Sequence, residues 1–429
     1  MNSKDHALKS PIRVGIIGMG GFAASHHDAI LQLEAEGKCS LVCTCDPAPE
    51  AWTDRVAALR FEQRHVKFFD NYLDMLTVCR DNLDLITIPT PVPFHAEMHR
   101  TCIECGLAVY LEKPPTLDYR ELREMLMVEE AATHETNVGF NFIIESDRRL
   151  LKQRLLNGDF GQLRRVSFTG LWPRPHSYFG RAPWVARLIL NDRLVLDSCF
   201  GNAMAHYVHN VLFWAGMQSL NSWATIKNVI AELYRANQIE GPDTFFVQAH
   251  TSDDVLLNLA LTHACDGDHR HYERLECDNA TITYRTFDRY TIDWKDGSTE
   301  SHTIPPVSLT DNLRTYLDFL VDPLPPNRPA TRLVDSVPFV DLNNLAYVSA
   351  GQIQTIPPNE RTTARIADKT SLITSINNID RVFARFLHEG LFPSAQNLTW
   401  GIKSMPVTLN EMPRLHEVVT NMKSSLGAH

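Results

Sequence analysis

No stretch of this chain approaches the ~18–20 uninterrupted apolar residues that a transmembrane helix needs. Met1–Ser10 is polar, where a secretory leader would carry an apolar core. Positive charge is in short supply: 41 Lys and Arg face 51 Asp and Glu, for a net charge of −10. That balance works against a nucleic-acid backbone or an anionic membrane surface as partner, so neither is expected. The nine cysteines are odd in number and scattered from Cys39 to Cys277. Such usage fits free thiols in a reducing, cytoplasmic compartment. Cys102 and Cys105 share a helical face with His95 and Met98, which reads as thiols facing a sheet. His269 and His271 alternate along a strand without an acid or thiol partner, so they read as a surface pair and no metal is expected. A Gly-x-Ser-x-Gly elbow, a P-loop, internal repeats and low-complexity segments are all missing.

What is present is a chain of 429 residues, 44% apolar and 21% charged. At ~150 residues per domain it has room for two or three domains with large cores. Ile12–Ile17 is a short β-branched run, the pattern of a buried parallel strand. Gly18-Met19-Gly20-Gly21-Phe22-Ala23 follows, a G-x-G-x-x-A loop, then a helical stretch to about Glu36 closed by Gly37. Leu41–Asp46 reads as a second strand ending in an acid. Gly18 permits the tight turn, Gly20 admits a pyrophosphate, and Ala23 lets helix and strand pack closely. The helix N-terminus offers N–H groups to the phosphates. Asp46 would accept the adenosine ribose hydroxyls, and Pro47-Ala48 supplies no Arg for a 2′-phosphate, which favours NAD over NADP. The alternation continues with strands at Asp84–Ile88, Leu107–Leu111 and Asn137–Ile143, a proline turn at Pro89–Pro93 and a helix over 120–132.

The order of these motifs resembles the glucose–fructose oxidoreductase/inositol dehydrogenase/rhizopine catabolism (Gfo/Idh/MocA) family. The features that carry the resemblance are the glycine loop, Cys45-Asp46-Pro47, the Thr90-Pro91-x-x-x-His95 turn and Glu112-Lys113-Pro114 at a strand end. It covers roughly residues 11–358. It implies an α/β chain: an N-terminal Rossmann sheet, doubly wound and parallel, and a second α+β domain with a large open, mainly antiparallel sheet. It also implies an NAD-dependent enzyme acting on a sugar, sugar derivative or cyclic polyol. Gly18, Gly20, Phe22, Ala23, Asp46, Pro89, Thr90, His95, Glu112 and Lys113 would then contact the cofactor. In the family the lysine touches cofactor and substrate alike. At the C-terminal edge of a parallel strand, the Lys113 ammonium is suited to stabilise an alkoxide as hydride leaves.

Strand-like runs at 163–171, 222–232, 243–250, 255–263, 270–277, 280–285 and 289–294 agree with a large antiparallel sheet. In the family one face of this sheet covers helices and the other forms an oligomer interface, so a homodimer or homotetramer is expected. The family pattern places an acid four residues before a histidine. Here His206 and Gly216 keep the pattern, and Asn202 stands where the acid belongs. His206 is the expected general base, Asn202 its neighbour, and Asp197 a substitute carboxylate if the loop folds back. Arg181, Trp184 and Arg187, and more weakly Tyr178, suit stacking on and hydrogen bonding to a sugar ring. His209 reads as structural.

The expected domains are 1–145 (NAD-binding), 146–358 (substrate and assembly) and 359–429 (an extension packed on the second domain). Within them, 311–351 reads as two helices about the turn Pro323–Pro329. Ile373, Ile376, Ile379, Val382, Phe383 and Phe386 read as one apolar helical stripe. Two other functions share the same motifs: an NAD-dependent glycosidase working through a transient 3-keto sugar, and a non-catalytic NAD-binding sensor, to which Asn202 lends weight.

Overall fold

The computed structural model describes residues 7–325, 327–365 and 371–425. The polar start at Met1 and the outer ends of the expected domains lie outside the described residues. The chain forms two compact units. The first runs to Thr116 and includes Arg120–Ile144 and Val307–Ser336. The second holds Leu117–Tyr119, Glu145–Pro306 and the chain from Val337 onward. Residues 307–336, expected in the second domain, therefore belong to the first.

In the first unit six strands form one parallel sheet: β1 (Ile12–Ile17), β2 (Cys39–Cys45), β3 (Lys67–Phe69), β4 (Leu85–Ile88), β5 (Ala108–Leu111) and β6 (Asn137–Val138). Their order is β3-β2-β1-β4-β5-β6, so the winding reverses between β1 and β4. Ligands bind these sheets outside the carboxyl ends of the strands at that reversal. The connecting helices are α1 (Ala23–Ala35), α2 (Thr53–Ala58), α3 (Tyr72–Cys79), α4 (His95–Glu104) and α5 (Tyr119–Glu129). Ile30 and Leu33 of α1 are buried with Ile12, Val14 and Ile16. The same core takes Leu313, Tyr316, Leu317 and Leu320 from the returning helix α9 (Leu309–Val321). A capping box of Ser308 and Asp311 starts α9.

The expected strand Asn137–Ile143 is shorter than predicted. Only Asn137–Val138 pairs, and Asn141–Ile144 is a 3-10 turn. The side-chain Oδ1 of Asn141 accepts from the Tyr110 hydroxyl at 3.0 Å and the Asn312 amide at 2.8 Å, which holds this turn in the core.

The second unit is built on nine strands: β7 (Leu163–Leu171), β10 (Ile226–Arg235), β11 (Thr244–Thr251), β12 (Leu256–Thr262), β13 (Arg270–Cys277), β14 (Ala280–Arg285), β15 (Arg289–Trp294), β16 (Thr299–Thr303) and β17 (Gln354–Thr355). Their order is β16-β15-β14-β13-β7-β12-β11-β10-β17. All neighbours are antiparallel except β7–β12 and β10–β17. Small hairpins are formed by β8 (Ile189–Leu190) with β9 (Arg193–Leu194), and by β18 (Arg361–Arg365) with β19 (Leu372–Ile376). The helices are α6 (Ser146–Leu156), α7 (His176–Phe179), α8 (Ala205–Ala215), α10 (Val337–Ala350), α11 (Ile379–Glu389) and α12 (Leu415–Ser424).

Period-two alternation in β11 sends its side chains to opposite faces. Phe245 meets Phe200 and Tyr347, whereas Phe246 meets Phe383 and Phe386 of α11. The C-terminal extension thus covers the second face of the sheet over β10–β12, with Phe392 and Trp400 in the same core. Each such large apolar side chain contributes about 2–3 kcal/mol by burial. Val407 pairs with Val229 at 2.8 Å in both directions and extends the ladder beside the start of β10. The apolar stripe is split between two elements: Ile373 and Ile376 lie on β19, and the helix starts only at Ile379, after Asn378 in the left-handed region at φ 59°.

Candidate active site

In the first unit, β1 runs into Gly18 at φ 118°, a conformation that favours glycine. The Gly18 N–H donates to the Cys45 carbonyl at 2.8 Å, which ties the loop to β2. Burial lowers His27 to about 4, so its neutral ring donates from Nε2 to the Gly18 carbonyl at 3.1 Å. A Cβ on Gly20 would stand 2.7 Å from the Trp52 ring, so only glycine lets the indole lie over the loop. Ala23 lies 3.3 Å from a Cβ built on Gly18, the close approach expected of a small residue there.

The N–H groups of Ala23, Ala24 and Ser25 are taken by the carbonyls of Gly20, Gly21 and Phe22 at 3.1, 3.3 and 3.0 Å. Those of Gly20, Gly21 and Phe22 have no partner among the described residues. The donors available to a pyrophosphate are therefore those of the loop, one turn earlier than the sequence suggests. Asp46, at the end of β2, accepts the Met19 N–H at 3.0 Å and the Ala48 N–H at 3.1 Å. Its carboxylate is held against the glycine loop and stays partly exposed. This cradle fits a dinucleotide.

The ends of β4 and β5 are braced together. His95 is fully buried, with Nε2 at 2.8 Å from the Thr90 carbonyl and Nδ1 at 2.9 Å from the Pro114 carbonyl. Burial holds its pKa below the usual histidine range. Glu112 is 5% exposed, accepts the Lys113 N–H at 3.2 Å and lies 3.0 Å from His26 Nε2. His95 and Glu112, expected to touch the cofactor, hold the two loops in place. Pro89 is buried beside them, while Phe22, Thr90 and Lys113 remain partly or well exposed.

In the second unit, Cys199–Ala203 forms a π-turn that leads into α8. The Ser198 hydroxyl accepts the Gly201 N–H at 2.9 Å. Asp197 does fold back: it accepts the Asn202 amide at 2.7 Å and the Ala186 N–H at 2.6 Å. The missing acid is thus replaced by an amide with a buried carboxylate behind it. His206 stands in the first turn of α8 and is half-buried. His209 is fully buried and packs 5.1 Å from Trp223, a structural role as expected.

Arg181 stacks over Tyr178 at 3.6 Å and lies 5.6 Å from Trp184, so these three form one group. Arg187 does not join them. It pairs with Glu240 at 3.0 Å, and Glu240 also accepts the N–H groups of Leu188 and Ile189. It braces its own loop. His271 is no surface residue either. It accepts from Trp172 Nε1 at 3.2 Å through Nδ1, which leaves the proton on Nε2, 3.0 Å from the Tyr207 hydroxyl. Among the described residues no group of three or more His, Cys, Asp or Glu could hold a metal ion, and no helix is long and apolar enough to cross a membrane. All nine cysteines are free.

Residues 12–140 match the family described as "Oxidoreductase family, NAD-binding Rossmann fold" (GFO_IDH_MocA). Over these residues the chain is similar to the NAD-binding Rossmann domain of that family. Curated relatives include an inositol 2-dehydrogenase of Rhizobium meliloti, 25% identical over 41% of this chain and 51% of its own length. A D-glucoside 3-dehydrogenase of Escherichia coli is 26% identical over 37% of this chain and 43% of its own. The chain thus spans about half the length of the curated relatives it matches. Among solved structures, the WlbA dehydrogenase of Bordetella pertussis, in complex with NADH and UDP-GlcNAcA, aligns with a TM-score of 0.63 at 22% identity. That alignment covers 79% of this chain and 96% of that one. An oxidoreductase of Agrobacterium radiobacter in complex with NAD+ gives 0.65 at 17% identity, over 80% and 96%. These likenesses show the fold of both units.

Sequence reasoning missed how this chain anchors α8. Glu273 on β13 accepts from Asn210 at 2.8 Å, Trp214 at 2.5 Å and Arg148 at 2.6 Å. Lys152 donates to the last carbonyls of α8. The signal was available: Arg148 and Lys152 fall on the face of α6 that buries Leu151 and Leu155, where an unpaired charge would be costly.

Proposed function

We propose that the protein is an NAD-dependent oxidoreductase that moves hydride between a hydroxyl-bearing carbon of a sugar, sugar derivative or cyclic polyol and nicotinamide. The observation that carries the reading is Asp46, fixed to the glycine loop through Met19 and partly exposed, beside three loop N–H groups that have no partner among the described residues. That pair of features suits a free ribose and a pyrophosphate, and disfavours a 2′-phosphate. Bound there, the cofactor supplies the hydride acceptor or donor. His206 takes the hydroxyl proton, Asn202 with Asp197 behind it orients polar groups near it, and Lys113 stabilises the developing alkoxide. Tyr178, Arg181 and Trp184 offer ring faces and donors to the substrate. The names of the relatives, an inositol 2-dehydrogenase and a D-glucoside 3-dehydrogenase, support the substrate class.

A homodimer or homotetramer in the cytoplasm completes the proposal. Pairing through the sheet would use the polar face of β13 and β14, with Tyr272, Arg274, Glu276, Thr281 and Thr283, because α11 covers the other part. Light scattering showing only a 48.7 kDa species would remove that element. The function itself is tested by incubating the protein with NAD and myo-inositol, glucose or a methyl glucoside, and following reduced nicotinamide. Stoichiometric NADH with an oxidised product is the expected result. Product formation without net NADH, with deuterium entering C2 in heavy water, would instead establish a redox-neutral glycosidase.

A further inference from the structure

A cleft of about 470 Å3 lies in the second unit, between the body of the unit and the hairpin β18–β19 of the C-terminal extension. This is within the roughly 300–1,000 Å3 range of small-molecule sites. Its polar wall consists of His176, Asn237, Gln238, Arg361, Thr363 and Thr374, and Phe179, Ile239 and Pro358 supply apolar surface. Among the described residues no carboxylate lines it.

Its walls are tied together. Pro175 bridges to Ile373, His176 Nε2 lies 2.9 Å from the Thr374 hydroxyl, and that hydroxyl is 3.1 Å from Thr363. The Arg361 guanidinium donates to the Ala236 carbonyl, and no carboxylate among the described residues pairs with it. Its charge is therefore fixed in place and has no ion-pair partner among the described residues. Asn237 is 4% exposed and donates to Asp243 at 2.8 Å, while its Oδ1 has no partner among the described residues. An oriented cation, two hydroxyls and a waiting amide acceptor suit an anionic, hydroxylated ligand. Phe179 and Ile239 also line a small cavity of about 10 Å3 shared with Asp197 and His263. The cleft thus lies across two side chains from the Asp197–Asn202 pair.

We propose that this cleft binds the anionic substituent, carboxylate or phosphate, of a sugar derivative. It rests on the carbohydrate reading for the body of the ligand and on Arg361 for its charge.

Calorimetric titration of the full chain with glucuronate, glucose 6-phosphate and glucose, without NAD, tests this. At least one anion should bind tenfold or more tighter than glucose, and the tighter of the two identifies the group. Arg361→Gln should abolish the preference, and Arg361→Lys should retain part of it. If Arg361→Gln fails to fold, Gln238→Glu, at an exposed position on the same wall, should weaken the anion tenfold and leave glucose unchanged. Anions and glucose binding alike or not at all, or a preference that survives these variants, overturns the proposal. A chain that binds the anion but reduces no NAD with any sugar would sink the oxidoreductase reading alone.

Discussion

Replacing Lys152 by Met tests how the helix bearing His206 is held. The Lys152 ammonium is fully buried and donates to the carbonyls of Phe213 at 2.5 Å, Trp214 at 3.2 Å and Gly216. These lie at the end of α8, where the helix dipole concentrates partial negative charge. Two of them have a second partner: the Gly216 N–H reaches Phe213 at 3.3 Å, and the Ser222 hydroxyl reaches Gly216 at 2.7 Å. Trp214 has no other among the described residues. Met fills most of the stem's volume. The loss is then one orphaned carbonyl, ~1–3 kcal/mol, and two weakened ones of ~0.5–1.5 kcal/mol each. At pH 8 the folded side chain is largely the neutral amine, with two N–H donors for three carbonyls, which brings the net loss to about 2–3 kcal/mol.

The pH dependence is the sharper signature. Burial pulls Lys152 from its ordinary 10.5 down to about 7. Between those values the unfolded chain holds a proton that the folded chain has released. Wild-type stability therefore rises with pH across that window, by up to ~1.4 kcal/mol per unit. Lys152→Met lacks the group, so the advantage of the wild type is smallest below pH 7 and widens toward pH 10. Urea unfolding across this range measures it, and hydrogen exchange on residues 205–216 localises it. A loss under ~0.5 kcal/mol at pH 8, the scale of an inert surface change, or an advantage flat with pH, refutes the reasoning.

Asp46→Ala should remove most of the preference for NAD over NADP in calorimetric titration; wild-type protein that binds both alike would dismiss the assignment. Lys113→Ala and His206→Ala should each lower turnover about 10²-fold or more, with NAD affinity in His206→Ala unchanged; near-full activity in His206→Ala would remove it as the base. Phe386→Ala, at a fully buried ring 5.4 Å from Phe246 and 4.8 Å from Phe392, should cost about 3–5 kcal/mol in denaturant unfolding of the second unit. A cost near zero would mean that α11 does not hold the sheet face as described.

The dinucleotide cradle was legible because its pieces are local: a strand, a glycine turn and an acid follow one another between Ile12 and Asp46. The braces were not. His95 and Glu112 occupy motif positions, yet the Pro114 carbonyl and the His26 imidazole that pair with them come from distant parts of the chain, and a motif does not say which of its members touches the ligand. Trp52 over Gly20 and Glu273 beneath α8 are contacts of the same long-range kind. Ile373, Ile376 and Ile379 were misread for another reason. Their spacing of three continues across a strand and a turn into the helix, so a periodicity count sees one element where Asn378 makes two.

The return of residues 307–336 to the first unit separates the order of synthesis from the order of folding. When residue 145 leaves the ribosome, every strand of the Rossmann sheet exists, but Leu313, Tyr316, Leu317 and Leu320 do not, and they share its core with Ile30 and Leu33. At ~5–20 residues per second the nascent sheet waits about 10–40 s for its last helix. Through that interval the groove beside α1 is an apolar surface facing the cell, a natural landing place for a chaperone. A fragment cut at residue 145 would keep that groove open permanently, although it contains the whole nucleotide-binding motif.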